Sequence, residues 1–355
     1  MSFKPTAPRL RCGREVLLIA GPPDLLSRLD VWIRMKEMSF ETRLVEVYPK
    51  SGFDLKDGDE RLLGVDVFVV VSPRGLAPSK VLPGLGLCDS EGRFVLGAML
   101  PLSRITASAF CRSACAVEKR ALRGQGLGPA LLLGEWEPRA RKMALRSIRC
   151  LREADIACFQ WTADRVTRDA LSEGLSYGAG LALYYGHGRS VGWTGYHGFR
   201  SRHLPERPAS PLGAVLSITC STASRGGGGL SFAERLVTLG VSAASLGATR
   251  KTRHLSNAYL ASSVCEAIAG GATRLYEAFR QARLPEDILF SSYRLFGDPT
   301  ASLAGSEASF EAAMGLYAPD PDERVDRRRI ASEQEYPVSE KARTEDVNLV
   351  ELIGL

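Results

Sequence analysis

The chain has no CxxC pair among its eight cysteines, and only four histidines. Cys111 and Cys115 stand at the i, i+4 spacing of a helix, but no histidine lies near them to complete a metal site, so no metal is expected. No uninterrupted apolar run approaches the roughly 18 residues of a spanning helix. The best candidate, Phe94 to Cys111, carries Arg104 in its middle. The opening MSFKPTAPRLRCGREVLLIAG puts its apolar run on a strand-length segment with no small-residue cleavage site behind it, so no export signal is expected. There is no repeat at a fixed period. These absences point to a reduced, cytoplasmic protein with no membrane association, no metal and no organic cofactor.

What is present is ordinary globular composition: 355 residues, 45% hydrophobic and 24% charged, enough for two domains or one large domain with two similar halves. The net charge is +6, and 37 of the 46 basic residues are arginines spread along the chain. The one dense run, Arg327-Arg328-Arg329, sits among acids. A nucleic-acid binder concentrates its charge in a stripe or tract, so a solvated arginine-rich surface is the reading and nucleic acid is not an expected partner.

Short apolar strands alternate with amphipathic helices. EVLLIA (15–20), RLVEV (43–47) and VDVFVVVS (65–72) read as strands, the last so continuously branched that both its faces must be buried. Residues 84–97 read as turn-rich and 103–123 as a helix. A second series follows: strands at 129–134, 157–162, 181–185, 214–220 and 241–246, with helices at 138–153, 166–177, 231–239 and 256–283, the last broken near Gly270-Gly271. Two consecutive βα series imply an α/β protein with a doubly wound, mostly parallel sheet and two related halves meeting near residue 125. The expected organisation is an N-terminal non-catalytic α/β subdomain (1–125), a catalytic subdomain (126–305) and a charged, Pro-punctuated tail (306–355) with a regulatory role.

In open parallel sheets, chemistry gathers at the carboxyl ends of strands. LALYYGHG drives a buried strand into Gly186-His187-Gly188, and AVLSITCS delivers Cys220 at the end of the next. Taken singly, a strand-end cysteine reads as a small core residue, and a histidine in a glycine turn as a structural hydrogen-bonder. Taken together, on consecutive parallel strands, they read as a Cys-His dyad, in which an imidazole promotes the thiolate. His197 is the rival histidine; His203 and His254 lack a comparable setting. The segment Arg225 to Gly229 is expected to be flexible and to order when substrate or activator binds.

The stretch TRDALSEGLSYGAGLALYYGHGRSVGW (167–193) resembles the histidine block of the gingipain-type (C25-like) cysteine peptidases, in the caspase-like clan with caspases, separases and CHAT peptidases. LSITCSTASRGG resembles the cysteine block of that family, SFAERLVTLGVSAASLGAT the helix and strand after it, and LFGDPTASL the closing Gly-Asp-Pro segment. The resemblance covers about residues 129–303. It implies a caspase-like αβα sandwich, Cys220 as nucleophile, His187 as general base and acid, and the N–H groups of Gly188 and Cys220 as the oxyanion hole. It further implies that the loop after the first strand of the catalytic half and the segment after the strand following the cysteine build the pocket for the residue before the scissile bond. In the first lie Glu135, Trp136 and Glu137, with Glu135 where such enzymes place an acid assisting the histidine; Asp164 adds a carboxylate from the next strand's end. These acids favour a basic side chain, unless Glu137 and Asp164 merely cap the helices that follow. In the second lie Ser245 and Arg250, with Lys251 and Arg253, which would favour an acidic one.

The sequence therefore implies a cysteine endopeptidase that makes limited cuts in a protein or peptide substrate, governed by an activating protein or ligand. It departs from secreted gingipain-type enzymes in having no recognisable signal, propeptide or adhesion-type domain. The rival of another class is a catalytically silent module of the same fold that binds a partner protein. A nucleotide-binding reading of Gly21-Pro22-Pro23 fails for want of a P-loop lysine or GxGxxG spacing.

Overall fold

Thirteen strands form in the computed structural model, which describes residues 13–47, 55–135, 137–226, 229–306, 309–310 and 313. In the first half they are β1 (Val16–Gly21), β2 (Glu41–Glu46), β3 (Val67–Pro73), β4 (Gly86–Cys88) and β5 (Phe94–Leu102). In the second they are β6 (Ala130–Gly134), β7 (Cys158–Thr162), β8 (Leu181–Tyr185), β9 (Gly188–Arg189), β10 (Gly192–Trp193), β11 (Leu212–Ile218), β12 (Ser242–Ala248) and β13 (Tyr293–Gly297). Eleven of them make one mostly parallel sheet in the order β2-β1-β3-β5-β13-β12-β11-β8-β6-β7, with β4 antiparallel on β5; β9 and β10 form a separate hairpin.

The two expected series thus share a single sheet, and the strands that join them are the two the sequence pattern hid. Residues 84–97, read as turn-rich, contain β4 and the start of β5. Beyond that, FVLGAMLPL runs straight into the capping box of the helix Arg104–Leu122, so strand and helix read as one apolar run. β13 carries a buried arginine, Arg294, whose guanidinium donates to the carbonyl oxygens of Leu82 (2.6 Å) and Pro83 (3.1 Å). It lies antiparallel to β12 and touches β5 through one registered pair, Phe296 with Met99.

Side chains alternate across the pleat. Ala130, Leu132, Leu181, Leu183, Tyr185, Leu216 and Ile218 join the larger core, under the helices Pro138–Glu153 and His254–Ala269. Leu131, Leu133, Ala182, Tyr184 and Val215 join a second core with Trp193, Tyr196, Phe199 and the helix Phe232–Thr238. Both faces of the sheet are therefore covered. No helix among the described residues is long and apolar enough to cross a membrane. The described residues belong to one compact unit, Met1–Ala318, and the charged tail lies almost wholly outside them.

A buried ion cluster ties the two halves. Lys36, fully buried on the helix Asp30–Glu37, donates to Glu118 Oε2 at 2.8 Å and lies 2.7 Å from Asp298 Oδ2. Arg274 adds a 2.6 Å contact to Glu118 Oε1, and Trp32 Nε1 donates to Asp298 at 3.1 Å. Asp298 also accepts from Thr300 N–H and O–H, so the Gly-Asp-Pro segment is a structural clasp. Burial pushes the Glu118 carboxyl up, but the Lys36 and Arg274 charges overcome it and hold it at about 2. A carboxyl depressed in the folded state stabilises the protein above its unfolded pKa, and that stability is lost as pH falls towards the folded value. Urea-unfolding midpoints should accordingly drop between pH 4.5 and 2. Glu118→Gln, which strands two cations, should cost about 3–5 kcal/mol at pH 7 and flatten that acid dependence.

Candidate active site

β8 and β11 are neighbouring parallel strands that end level, with Tyr185 opposite Ile218; β6, on the other side of β8, places Gly134 opposite Tyr185. Neighbouring strands lie about 4.8 Å apart. Two residues past the first pair, His187 and Cys220 therefore leave the sheet side by side, with Glu135 one residue past Gly134. Below them, Thr219 Oγ1 donates to the carbonyl of Gly186 at 2.6 Å. The flanking glycines are required. A Cβ on Gly188 would lie 2.6 Å from the carbonyl oxygen of Cys220, and Gly186 has φ +144° with Glu135 and Tyr184 pressed against it.

The histidine turn is braced from beneath. The Tyr184 hydroxyl donates to the His187 carbonyl (3.0 Å) and lies 3.3 Å from Glu135 Oε1; it accepts from Gly195 N–H (3.1 Å). Trp193 stacks on the Tyr184 ring at 4.5 Å and donates to Ser217 Oγ of β11 at 3.0 Å, while the β9–β10 hairpin pairs Trp193 with Gly188. Glu135 accepts the backbone N–H of His187 at 3.2 Å. Burial raises the Glu135 carboxyl above its ordinary range, and the neighbouring His187 works against that rise through its charge and its N–H. His187 itself is exposed.

Cys220 is half-buried and free. Its sulfur accepts from Thr252 N–H at 3.4 Å and lies 3.6 Å from Thr252 Oγ1. The next residue, Ser221, has φ +58° and donates its N–H to the Arg250 carbonyl at 3.1 Å. The nucleophile candidate thus sits on a strained turn held by the loop after β12.

The other expected residues divide. Glu137 Oε2 accepts Ala140 N–H at 2.9 Å and caps the helix Pro138–Glu153. Asp164 caps nothing: Thr167 begins the next helix. Asp164 stands two residues past Thr162, which is opposite Gly134, so it shares the edge with Glu135, and its Oδ1 is buried without a hydrogen bond. Ser245 corrects the expectation placed on it. It lies inside β12 opposite Val215, fully buried, three register positions below the sheet end, and cannot line a pocket at the mouth. Arg250 is exposed at the edge but its guanidinium is held by Ser291 Oγ at 2.8 Å. Trp136 lies outside the described residues.

His197, at φ +55°, is exposed on the loop beyond Trp193, and His203 Nδ1 accepts Arg200 N–H at 2.9 Å. The segment after Cys220 also differs from expectation at its start. Arg225 makes paired hydrogen bonds to the buried Glu234 and donates to Leu76 O at 3.0 Å, which pins this end; Gly227 and Gly228 lie outside the described residues. Sequence reasoning missed Tyr184 and Thr252. LALYY is apolar or aromatic throughout and buried on both faces, so nothing singles out Tyr184, and nothing marks Thr252.

The model of peptidase family C25 matches residues 147–304, which contain both His187 and Cys220. Three solved structures are similar. One is described as the structure of a protease (12% identity, 81% of this chain and 78% of that one, TM-score 0.64). Another is the Arg-specific cysteine proteinase gingipain R (RGPB) (13%, 81% and 78%, 0.61). A third is the complex of Porphyromonas gingivalis RgpB pro- and mature domains (14%, 84% and 81%, 0.59). At such identities the structures establish the fold. No curated protein sequence matches the chain.

Because a Cβ at position 188 meets backbone, Gly188→Ala must push the two strand ends apart. It should cost about 1–3 kcal/mol in urea unfolding and slow alkylation of Cys220 by iodoacetamide, followed by peptide mass mapping.

Proposed function

We propose, from the premise that this chain is a gingipain-type cysteine endopeptidase of the C25 kind, that Cys220 and His187 form its catalytic dyad and that it makes limited cuts beside basic residues in protein substrates. The observation that carries this is the level ending of β8 and β11 with Gly188 pressed against Cys220. That approach supports a pairing of the exposed His187 with the half-buried Cys220, which follow neighbouring strands at the carboxyl edge of the sheet.

In the mechanism, His187 takes the thiol proton and Cys220 Sγ attacks the scissile carbonyl. The N–H groups of Gly188 and Cys220 receive the oxyanion. His187 then gives its proton to the leaving amine, leaving a thioester on Cys220. Water, deprotonated by His187, attacks that thioester and releases the carboxylic acid product. Glu135 fixes the backbone of the histidine turn through the His187 N–H and sets a carboxyl beside it.

The carboxylates of Glu135 and Asp164 at one edge support a basic P1 side chain. So does the engagement of Arg250 by Ser291, and a fold neighbour is named as Arg-specific. The seven described cysteines are all free, which suits the reducing cytoplasm in which we place the enzyme. Control by an activating protein or ligand belongs to the same proposal. Arg225, five residues past the nucleophile, is bonded to Leu76 of the first half and gives binding there a route to the site.

Proteome-derived peptides treated with wild type should acquire new termini after Arg or Lys, and none with Cys220→Ala. Identical termini with both proteins would favour the silent binding module. Glu135→Gln preserves an acceptor for the His187 N–H but removes the charge. It should lower kcat/KM roughly 10–100-fold at neutral pH. Because burial raises this carboxyl, it loses its charge at a higher pH than an ordinary glutamate. The variant should therefore lose that contribution to the acidic limb of the pH–rate profile.

A further inference from the structure

Thr252, outside the proposed dyad, lies against the sulfur. Thr252 meets Cys220 Sγ through its N–H at 3.4 Å, its hydroxyl at 3.6 Å and its carbonyl oxygen at 3.9 Å. The loop that carries it is fixed at several points. Thr249 donates its N–H to Ser292 O (2.9 Å) and its hydroxyl to Ser291 O (2.8 Å), and Arg250 binds Ser291 Oγ. The same loop supplies the Arg250 carbonyl that holds Ser221 in its left-handed conformation. Behind this loop the Tyr293 O–H donates to Asn257 Oδ1, both in the buried layer.

We infer that Thr252 is a positioning residue for the nucleophile: its N–H and hydroxyl hold the Cys220 sulfur at the sheet edge and donate to it as it becomes a thiolate. This rests on the dyad proposed above and adds a group to it. A thiol offers one weak donor, which the Thr252 carbonyl or hydroxyl receives. When the proton leaves for His187, the sulfur becomes a pure acceptor. Thr252 N–H already points at it, and the hydroxyl, 3.6 Å from the sulfur, adds a second donor. Hydrogen bonds to the charged form favour that form. Because the donors stand on a pinned loop, little reorganisation accompanies ionisation.

The charged and titratable groups on the segments around the sulfur are Glu135 after β6; His187 and Arg189 after β8; Arg250, Lys251, Arg253 and His254 after β12; Asp287 and Tyr293 before and at the start of β13; and Arg225 on the nucleophile's own segment. A substitution at Thr252 replaces none of them, and Tyr293 is close enough to Thr252 to feel the change.

The test measures alkylation of Cys220 by iodoacetamide as a function of pH, by peptide mass mapping, beside the pH profile of kcat/KM. Thr252→Val keeps the shape and the N–H but loses the hydroxyl. The pH of half-maximal alkylation should rise by roughly 0.5–1 unit, with kcat/KM reduced about 5–20-fold, and Thr252→Ser should restore both. Thr252→Ala, read in the same way, serves if the valine variant does not fold. An unshifted alkylation midpoint in a folded Thr252→Val or Thr252→Ala protein would overturn the inference. Alkylation needs no peptide substrate, so it decides the role of Thr252 even if wild type cleaves nothing, an outcome that would count against the peptidase reading alone.

Discussion

The site depends on the parallel pairing of β8 with β11. A parallel ladder fixes which residues of two strands end opposite each other, and here Tyr185 and Ile218 do. The chain positions that follow are then no longer free. Gly186 and Thr219 are joined by a hydrogen bond, and His187 and Cys220 leave the sheet as neighbours although 33 residues separate them in the chain. A slip of one residue in that register would turn Tyr184 out of the second core and break its bonds to Glu135, the histidine turn and Gly195.

The rest of the fold holds this edge still. Aromatic packing of Trp193 on Tyr184, and its bond to Ser217, clamp the histidine hairpin onto the strands that lead to His187 and Cys220. On the far side, the loop after β12 braces Ser221 and the sulfur. The β12–β13–β5 connection makes these loops part of a sheet that extends through the first half, and the cluster of Lys36, Glu118, Arg274 and Asp298 fastens the helices of both halves together. Removing any one of these charges leaves the others buried and uncompensated, so the clasp is cooperative.

Much of this was legible in the sequence. Continuous apolar strands ending in Gly-His-Gly and in Cys announce a carboxyl edge, and the resemblance to gingipain-type enzymes pointed to the same residues. The clasp was visible only as a Gly-Asp-Pro segment, because its partners come from distant helices. β5 and β13 were hidden for physical reasons: one merges into a helix, and the other carries an arginine satisfied by two carbonyl groups rather than by a carboxylate. Ser245 already falls inside the strand read at 241–246, and β12 extends that strand through small residues to Ala248, which sets Ser245 still farther from the mouth. Asp164 looked like a cap, yet Thr167, three residues on, does that work. Thr252 had no signal at all. Its importance comes from tertiary contact with a sulfur 32 residues earlier in the chain.

The central claim is that peptide bonds are cut by way of a thioester on Cys220. Rapid acid quenching of the enzyme during turnover of an arginine-containing peptide ester, followed by intact and peptide mass mapping, tests it most directly. The account predicts an acyl adduct confined to the peptide bearing Cys220, accumulating in wild type and absent from Cys220→Ala. An adduct on another residue, or turnover that persists in Cys220→Ala, would contradict it.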